Sequence, residues 1–374
     1  MRVIVAPDKF EGSLSAARAA SAIEAGLRRA RADVEVVCLP LGDGGAGTLA
    51  AVIAAGFERV AVRATGPTGE RVEAAIAVSG ERAFVEMAEA SGLSRLPGGR
   101  RAPLEATTYG TGELLRAALD LGVTELVLGI GGSATTDGGT GMASALGARF
   151  VDAAGEPLPP GGAALLRLDH IDTAGLDPRV AKVRVTVAAD VDNPLVGPSG
   201  AAAVYGPQKG ASPEDVLLLD SALRRYARVL AADLGADLAE VSGAGAAGGL
   251  GAGAIAFLGA ELRSGIVLVL DLIGFHDALQ GTDLVITGEG KIDAQSLRGK
   301  APVGVARAAA ERGVPVVALG GSVEVADQEL RAAGFEEARG LSELEPDLER
   351  SMAEAAPLLE RLAEQVGRAW ASLP

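Results

Sequence analysis

Residues 2–38 read RVIVAPDKFEGSLSAARAASAIEAGLRRARADVEVVC, and this stretch decides the fold class. RVIVAP is a short, uninterrupted apolar run ending at Pro7, as expected for a strand buried on both faces. DKFEGS (Asp8–Ser13) is a polar turn. Ser15 is placed to cap the next segment, AARAASAIEAGLRRA, whose apolar residues recur at helical spacing. VEVVCLP (Val34–Pro40) is a second strand. Strand, glycine-bearing turn, helix and strand in that order make a βαβ unit with parallel strands.

Working outward, TLAAVIAAG reads as a helix. Three β-like runs follow, ERVAVRA, RVEAAIAV and RAFVEMA, punctuated by Gly66-Pro67 and Ser79-Gly80, and they predict a small antiparallel meander. Alternation then resumes. Residues 108–121 and 139–150 are predicted helices on either side of the strand TELVLGI, and VRVTVAAD is a further strand. A long helix is predicted over 213–234. The apolar run SGIVLVLDL precedes DLVITGEG, the helix VGVARAAAERG and the run VPVVALGG. An amphipathic helix over 347–370 ends the pattern. The expected fold is α/β with mostly parallel strands. At 374 residues the chain suits two domains. The expected division is 1–70 together with 280–374 as one discontinuous domain, and 71–279 as a second inserted in it.

Composition narrows the function. The formal net charge is −15, which repels nucleic acid and anionic membrane, so neither is expected as a partner. No apolar stretch is long enough to span a bilayer and no signal-peptide pattern opens the chain, so a cytoplasmic protein is expected. Cys38 stands alone in an apolar run, and His170 and His276 lack metal-ligand spacing. Only five of the 34 basic residues are lysines, and four of them, Lys9, Lys209, Lys291 and Lys300, lie in or beside glycine-rich segments. A compact ammonium there suits phosphate.

Ligands of open α/β sheets bind at the carboxyl ends of strands, where glycines let backbone amides approach an anion. Four turns fit that position: Asp8–Ser13, Leu41–Thr48, Gly131–Gly139 and Lys291–Pro302. The Gly-rich stretch GAGAAGGLGAG (Gly243–Gly253) matches the spacing G-x-G-x-x-G, but no good strand precedes it, and a nicotinamide site is disfavoured. The P-loop spacing is absent around Gly299-Lys300, and no nucleophile elbow occurs. Phosphoryl transfer asks for anion-binding amides, cations, carboxylates for a metal and a group to orient the acceptor hydroxyl. On that chemistry, Asp43, Asp190, Lys9 and Lys291 are the expected catalytic residues. Asp8, Ser13, Gly44, Gly45 and Lys300 are expected to bind the acceptor. Gly131, Gly132, Ser133, Thr135, Asp137, Gly138 and Lys209 are expected to bind ATP, and Asp190, Glu289 and Asp293 to hold Mg²⁺.

Taken in order, the segments APDKFEGSLSA, LPLGDGGAGT, TTYGTGELLRAALDLG, GIGGSATTDGGTGMASALGARF, AADVDNPLVG, GPQKGA, GAGAAGGLGAG and TGEGKIDAQSLRGKAP resemble the bacterial glycerate kinase family of the glycerate 2-kinase type. The likeness runs from Ala6 to about Gly321. It implies transfer of the γ-phosphate of ATP to D-glycerate with Mg²⁺, giving 2-phosphoglycerate. It also implies one flavodoxin-like domain and one resembling the restriction-endonuclease core, with the active site in a cleft between them. The chain departs from the family at Glu11, where Lys is frequent, and at Ala46, where Glu is common. Thr136 and Ser296 replace a frequent Asn and Thr. Rival readings are a glycerate 3-kinase, a kinase of another small hydroxy acid, or a non-catalytic binder of an anionic metabolite. The expected assembly is a monomer or homodimer.

Overall fold

The computed structural model describes residues 1–371 apart from Asp43, Ala46, Gln295 and Gly299. The chain divides into two compact units. The first comprises residues 1–43, 50–56 and 266–374, and the second residues 44–49 and 57–265. The second therefore takes in the strand Glu58–Thr65, which the segment 1–70 had placed in the first.

The first unit is built on a five-stranded, wholly parallel sheet. From edge to edge its strands are Glu35–Cys38, Arg2–Pro7, Leu284–Ile292, Val316–Val323 and Glu337–Gly340. Numbered within the unit, that order is 2-1-3-4-5, the flavodoxin-like doubly wound arrangement. The reason lies in the strand sequences. Successive side chains point to opposite faces, and both faces of RVIVAP are apolar. Val3 and Val5 pack with Ile23 and Leu27 of the helix Ala16–Ala30 and with Leu359, Leu362 and Val366 of the helix Ala355–Ala371. Ile4 and Ala6 face the other way, among Ile266, Val269, Phe275, Val303 and Val305. Ser15 caps the first helix, accepting from Arg18 N at 3.3 Å.

The second unit holds a six-stranded mixed sheet. Glu58–Thr65, Arg71–Ser79 and Arg82–Glu86 form the expected antiparallel meander. Glu125–Gly129, Arg184–Ala188 and Glu261–Arg263 then add in parallel. Arg149–Val151 and His170–Asp172 make a separate antiparallel pair. The helix Pro213–Leu234 has the predicted span. Ser212 and Asp215 form a capping box at its start, and Gly235 turns left-handed at its end.

Two predicted helices differ from the sequence reading, one apolar run left unassigned there takes a definite form, and one disfavoured motif is seen in its context. The helix expected over 139–150 covers only Thr140–Ala145, because left-handed Gly147 (φ 109°) turns the chain into a strand. The C-terminal helix is broken at Glu354 into Leu348–Ala353 and Ala355–Ala371. The apolar run around Val267 is a helix, Gly265–Leu272; unbroken hydrophobicity has no period with which to tell strand from helix. GAGAAGGLGAG enters the helix Ala246–Leu258 with Ala247, Gly248 and Gly249 left-handed and with no strand before it, so the dinucleotide fingerprint lacks its required context.

Candidate active site

In a 2-1-3-4-5 sheet the topology reverses between the first and third strands, and a crevice opens beyond their carboxyl ends. Those strands end in Pro7 and Ile292. A crevice of about 650 Å³ lies there, lined by Asp8, Lys9, Ser13, Glu289, Lys291 and Lys300 among others. Six sequence-predicted residues are thus brought together in this unit. The Asp8 amide donates to Gly288 O at 2.8 Å, continuing the strand pairing by one residue. Asp8 Oδ1 accepts from Lys9 N at 2.7 Å, and Ser13 Oγ donates to Phe10 O at 3.0 Å, so the turn is held by its own side chains.

Glu289 and Lys291 lie on the extended strand itself, opposite Gly320 and Ser322. Each lysine of the crevice faces a carboxylate. Lys9 Nζ is 3.6 Å from Glu11, Lys291 Nζ 2.8 Å from Glu324 and 4.0 Å from Asp293, and Lys300 Nζ 3.5 Å from Glu289. The Glu324 partner raises the Lys291 pKa, so this ammonium stays charged. Glu289 is only 8 % exposed, and its Oε1 is buried with no hydrogen-bond partner. Burial pushes its pKa up, against the bonds and charge of Ser296 and Lys300. Asp293 Oδ1 accepts from Ser296 N at 3.1 Å, a contact that the Ser296 replacement preserves.

The second unit presents a different arrangement. Gly44 and Gly45 lie against the end of the strand Glu125–Gly129. A Cβ on Gly131 would fall 2.5 Å from Gly45 Cα, and one on Gly44 2.7 Å from Ala188 Cβ. Gly131 N donates to Gly44 O at 3.2 Å. Only glycine permits backbones this close. The turn is fastened by Glu86, which sequence reasoning missed. Glu86 is 3 % exposed and accepts from Gly47 N at 3.1 Å and Leu49 N at 2.8 Å. Its signal was a carboxylate ending the otherwise apolar strand RAFVE. Asp190 is exposed, and its Oδ1 accepts from Ser264 Oγ at 2.9 Å and Gly265 N at 2.8 Å. Asp43 lies outside the described residues.

Beneath the segment 131–139 is a buried polar cluster. Asp137 accepts from Thr108 N, Thr108 Oγ1, Gly139 N and Gly141 N at 2.8 to 3.2 Å, with Thr107 Oγ1 at 3.4 Å. Burial pushes its pKa up, but this many donors favour the carboxylate. Lys209 is 1 % exposed and donates to Thr135 O at 2.6 Å. Burial lowers its pKa from 10.5 to about 7, with Asp137 opposing the change. Thr135, Thr136 and Asp137 are fully buried as well. Asp137 and Lys209 therefore bond to the backbone of the glycine segment, while Gly131 and Gly132 stay accessible. Gly138 N donates to Gly248 O at 3.0 Å, and a Cβ on Gly248 would meet Thr135 O at 2.0 Å. The Gly-rich stretch 243–253 thus serves close packing against this segment.

A divalent cation finds no cluster of three acidic or thiol/imidazole ligands among the described residues. Mg²⁺ needs only one or two carboxylates beside water and phosphate oxygens. The unpartnered Glu289 oxygen, with Asp293 four residues on, fits that donor set.

A model of the glycerate kinase family matches residues 3–371. The chain is 47 % identical over 367 residues to a glycerate kinase of Halalkalibacterium halodurans, with 97 % of each chain covered. It is 49 % identical over 327 residues to the glycerate 2-kinase of Escherichia coli, with 86 % of each covered. A crystal structure from Salmonella typhimurium LT2, provisionally assigned as glycerate kinase 2, superposes with a TM-score of 0.87 at 45 % identity, covering 100 % of this chain and 98 % of that one.

Proposed function

Because the chain belongs to the glycerate kinase family, we propose that it transfers the γ-phosphoryl group of ATP to D-glycerate, giving 2-phosphoglycerate and ADP. The observation that carries this reading is the crevice at the topological switch point, where three lysines and a buried, half-unpartnered carboxylate face one space. The name of the Escherichia coli relative supports transfer to the 2-hydroxyl.

Phosphoryl transfer is largely positioning and charge neutralisation. Lys9, Lys291 and Lys300 exchange their carboxylate partners for phosphate oxygens. Asp8 and Ser13 orient the acceptor hydroxyl towards the phosphorus. Gly132 and Gly45, with Ser133, bind anionic oxygens, while the amides of Gly44 and Gly131 hold the turn through Thr48 Oγ1 and Gly44 O. Asp137, Thr135, Gly138 and Lys209 hold that backbone in place from within. Glu289 and Asp293 would hold Mg²⁺, which supplies charge neutralisation across the phosphates when bound. Asp190 is a catalytic carboxylate whose orientation is set by its bonds to Ser264 and Gly265. No helix among the described residues is long and apolar enough to cross a membrane. On this reading the reaction draws on cytoplasmic ATP, and the proposed assembly is a monomer or homodimer.

Phosphorus NMR of the product tests the reading. Appearance of 2-phosphoglycerate with ADP is expected, whereas 3-phosphoglycerate would move the transfer to the other hydroxyl, and no ADP release with glycerate would remove the kinase. Asp190→Asn should lower kcat by about 10²- to 10³-fold. Near-normal turnover would take Asp190 out of the mechanism.

A further inference from the structure

The second unit carries a groove of about 620 Å³ that no residue proposed for phosphoryl transfer lines. One wall is a face of the helix Pro213–Leu234, and the other is the segment after that helix, with Asp237 and Glu240. Buried Val196 and Ala227 give it an apolar floor.

Arg224 and Arg228 stand on the helix wall, four residues apart. Like charges at that spacing repel and weaken a helix. Asp220 offsets one of them. Its Oδ2 accepts from Arg224 Nε at 2.7 Å, and its Oδ1 accepts from Gly197 N at 2.7 Å. The carboxylate is thus fixed to the backbone and fixes Arg224 in turn, with the terminal guanidinium nitrogens left over. Among the described residues the side chains of Arg228, Asp237 and Glu240 have no ionic or hydrogen-bonding partner. The facing segment is also held in place. Ala236 N donates to Leu230 O at 3.2 Å, Leu195 N donates to Ala239 O at 3.1 Å, and Leu238 is buried.

Two arginines and two carboxylates therefore line one groove without pairing across it. A simple anion there would meet Asp237 and Glu240 as well as the arginines, and a simple cation would meet the arginines as well as the acids. A molecule with a carboxylate at one end and an ammonium at the other satisfies both walls. Guanidinium groups take a carboxylate in a planar fork, and carboxylates accept from an ammonium. The floor of Val196 and Ala227 admits an aliphatic part between or beside the charges.

We propose that this groove binds a small aliphatic zwitterion of the amino-acid class, its carboxylate on Arg224 and Arg228 and its ammonium on Asp237 and Glu240. The site is separate from the phosphoryl-transfer residues and does not depend on that reading.

Saturation-transfer NMR tests it, with L-leucine and glycyl-L-leucine as probes whose charges are set at different spacings. Isocaproate keeps the leucine skeleton without the ammonium, and isopentylamine keeps it without the carboxylate. At least one zwitterion should bind, and each singly charged probe should bind about tenfold more weakly, the order of one lost charge-assisted hydrogen bond. Arg228→Gln and Glu240→Gln should each raise the Kd of that zwitterion about tenfold as well. Both positions are exposed, so the melting temperature should not move. Absence of binding by both zwitterions overturns the proposal, as does binding that neither substitution weakens. Isocaproate binding as tightly as the zwitterion would make the groove a plain anion site, and the proposal fails.

Discussion

Two regions of this molecule gather the same residue types, glycine, carboxylate and lysine, and use them in opposite ways. In the crevice of the first unit the lysines are exposed and each leans on an acidic partner at 2.8 to 3.6 Å. Where both partners are exposed, as for Lys9 with Glu11 and Lys291 with Glu324, such pairs contribute little to stability, because water solvates either partner nearly as well as the other does. They are therefore free to exchange that partner for a ligand. In the second unit Asp137 and Lys209 are sealed from solvent and bond to backbone groups of the segment 131–139. There the charges fix a peptide shape, and their removal leaves desolvated groups behind. The same composition gives exchangeable electrostatics in one place and a rigid backbone in the other.

The sharpest way to break the contrast is Asp137→Ala. It leaves four or five buried donors without an acceptor. Urea unfolding should show a loss of about 3–5 kcal/mol, the usual result of removing one partner of a buried charged network. A change below about 1 kcal/mol would mean that the carboxylate does not hold the segment. The matching change in the crevice is Lys291→Ala. Its stability should stay within about 1 kcal/mol of the unmodified protein, since Lys291 and Glu324 are both largely exposed. Its kcat/KM for ATP should fall by about 10- to 100-fold through loss of charge stabilisation. Unimpaired kcat/KM would reduce Lys291 to a surface ion pair.

How much of this was legible in the sequence follows from the range of the interactions. RVIVAP and the turn after it are local, and their reading placed Asp8, Lys9 and Ser13 at a strand end before any fold was known. The meander was legible too, because Gly66-Pro67 and Ser79-Gly80 punctuate it. Glu86 was not, since its partners at Gly47 and Leu49 are nearly forty residues away and no period connects them. Lys209 was singled out for its glycine-rich surroundings and expected to meet ATP. Its burial depends on Thr135, 74 residues away, and no local pattern reports that. The run containing Val267 is apolar on every side, and hydrophobicity alone does not choose between strand and helix. The boundary between units at residues 49–50 carries no punctuation either, because it falls inside the helix Thr48–Ala54.

Lys209 gives the finest test of the contrast, because its burial makes the stability of the second unit depend on pH while the exposed lysines of the crevice do not share that cause. In the fold its pKa is lowered from 10.5 to about 7, chiefly by burial. Between those values the unfolded chain binds a proton that the folded chain has released, so the stability contributed by this group rises with pH across the window and is complete above the unfolded value. Lys209→Met keeps much of the volume and removes the titration. The difference in unfolding free energy between the unmodified protein and this variant should therefore grow in favour of the unmodified protein as pH is raised from 7 to 10. Urea titrations at fixed pH steps measure it, and the comparison cancels every other titrating group that the substitution leaves undisturbed. A difference that stays constant over the range would mean that the Lys209 ammonium keeps its proton in the fold, with the Asp137 charge outweighing burial. The two regions would then differ in rigidity alone.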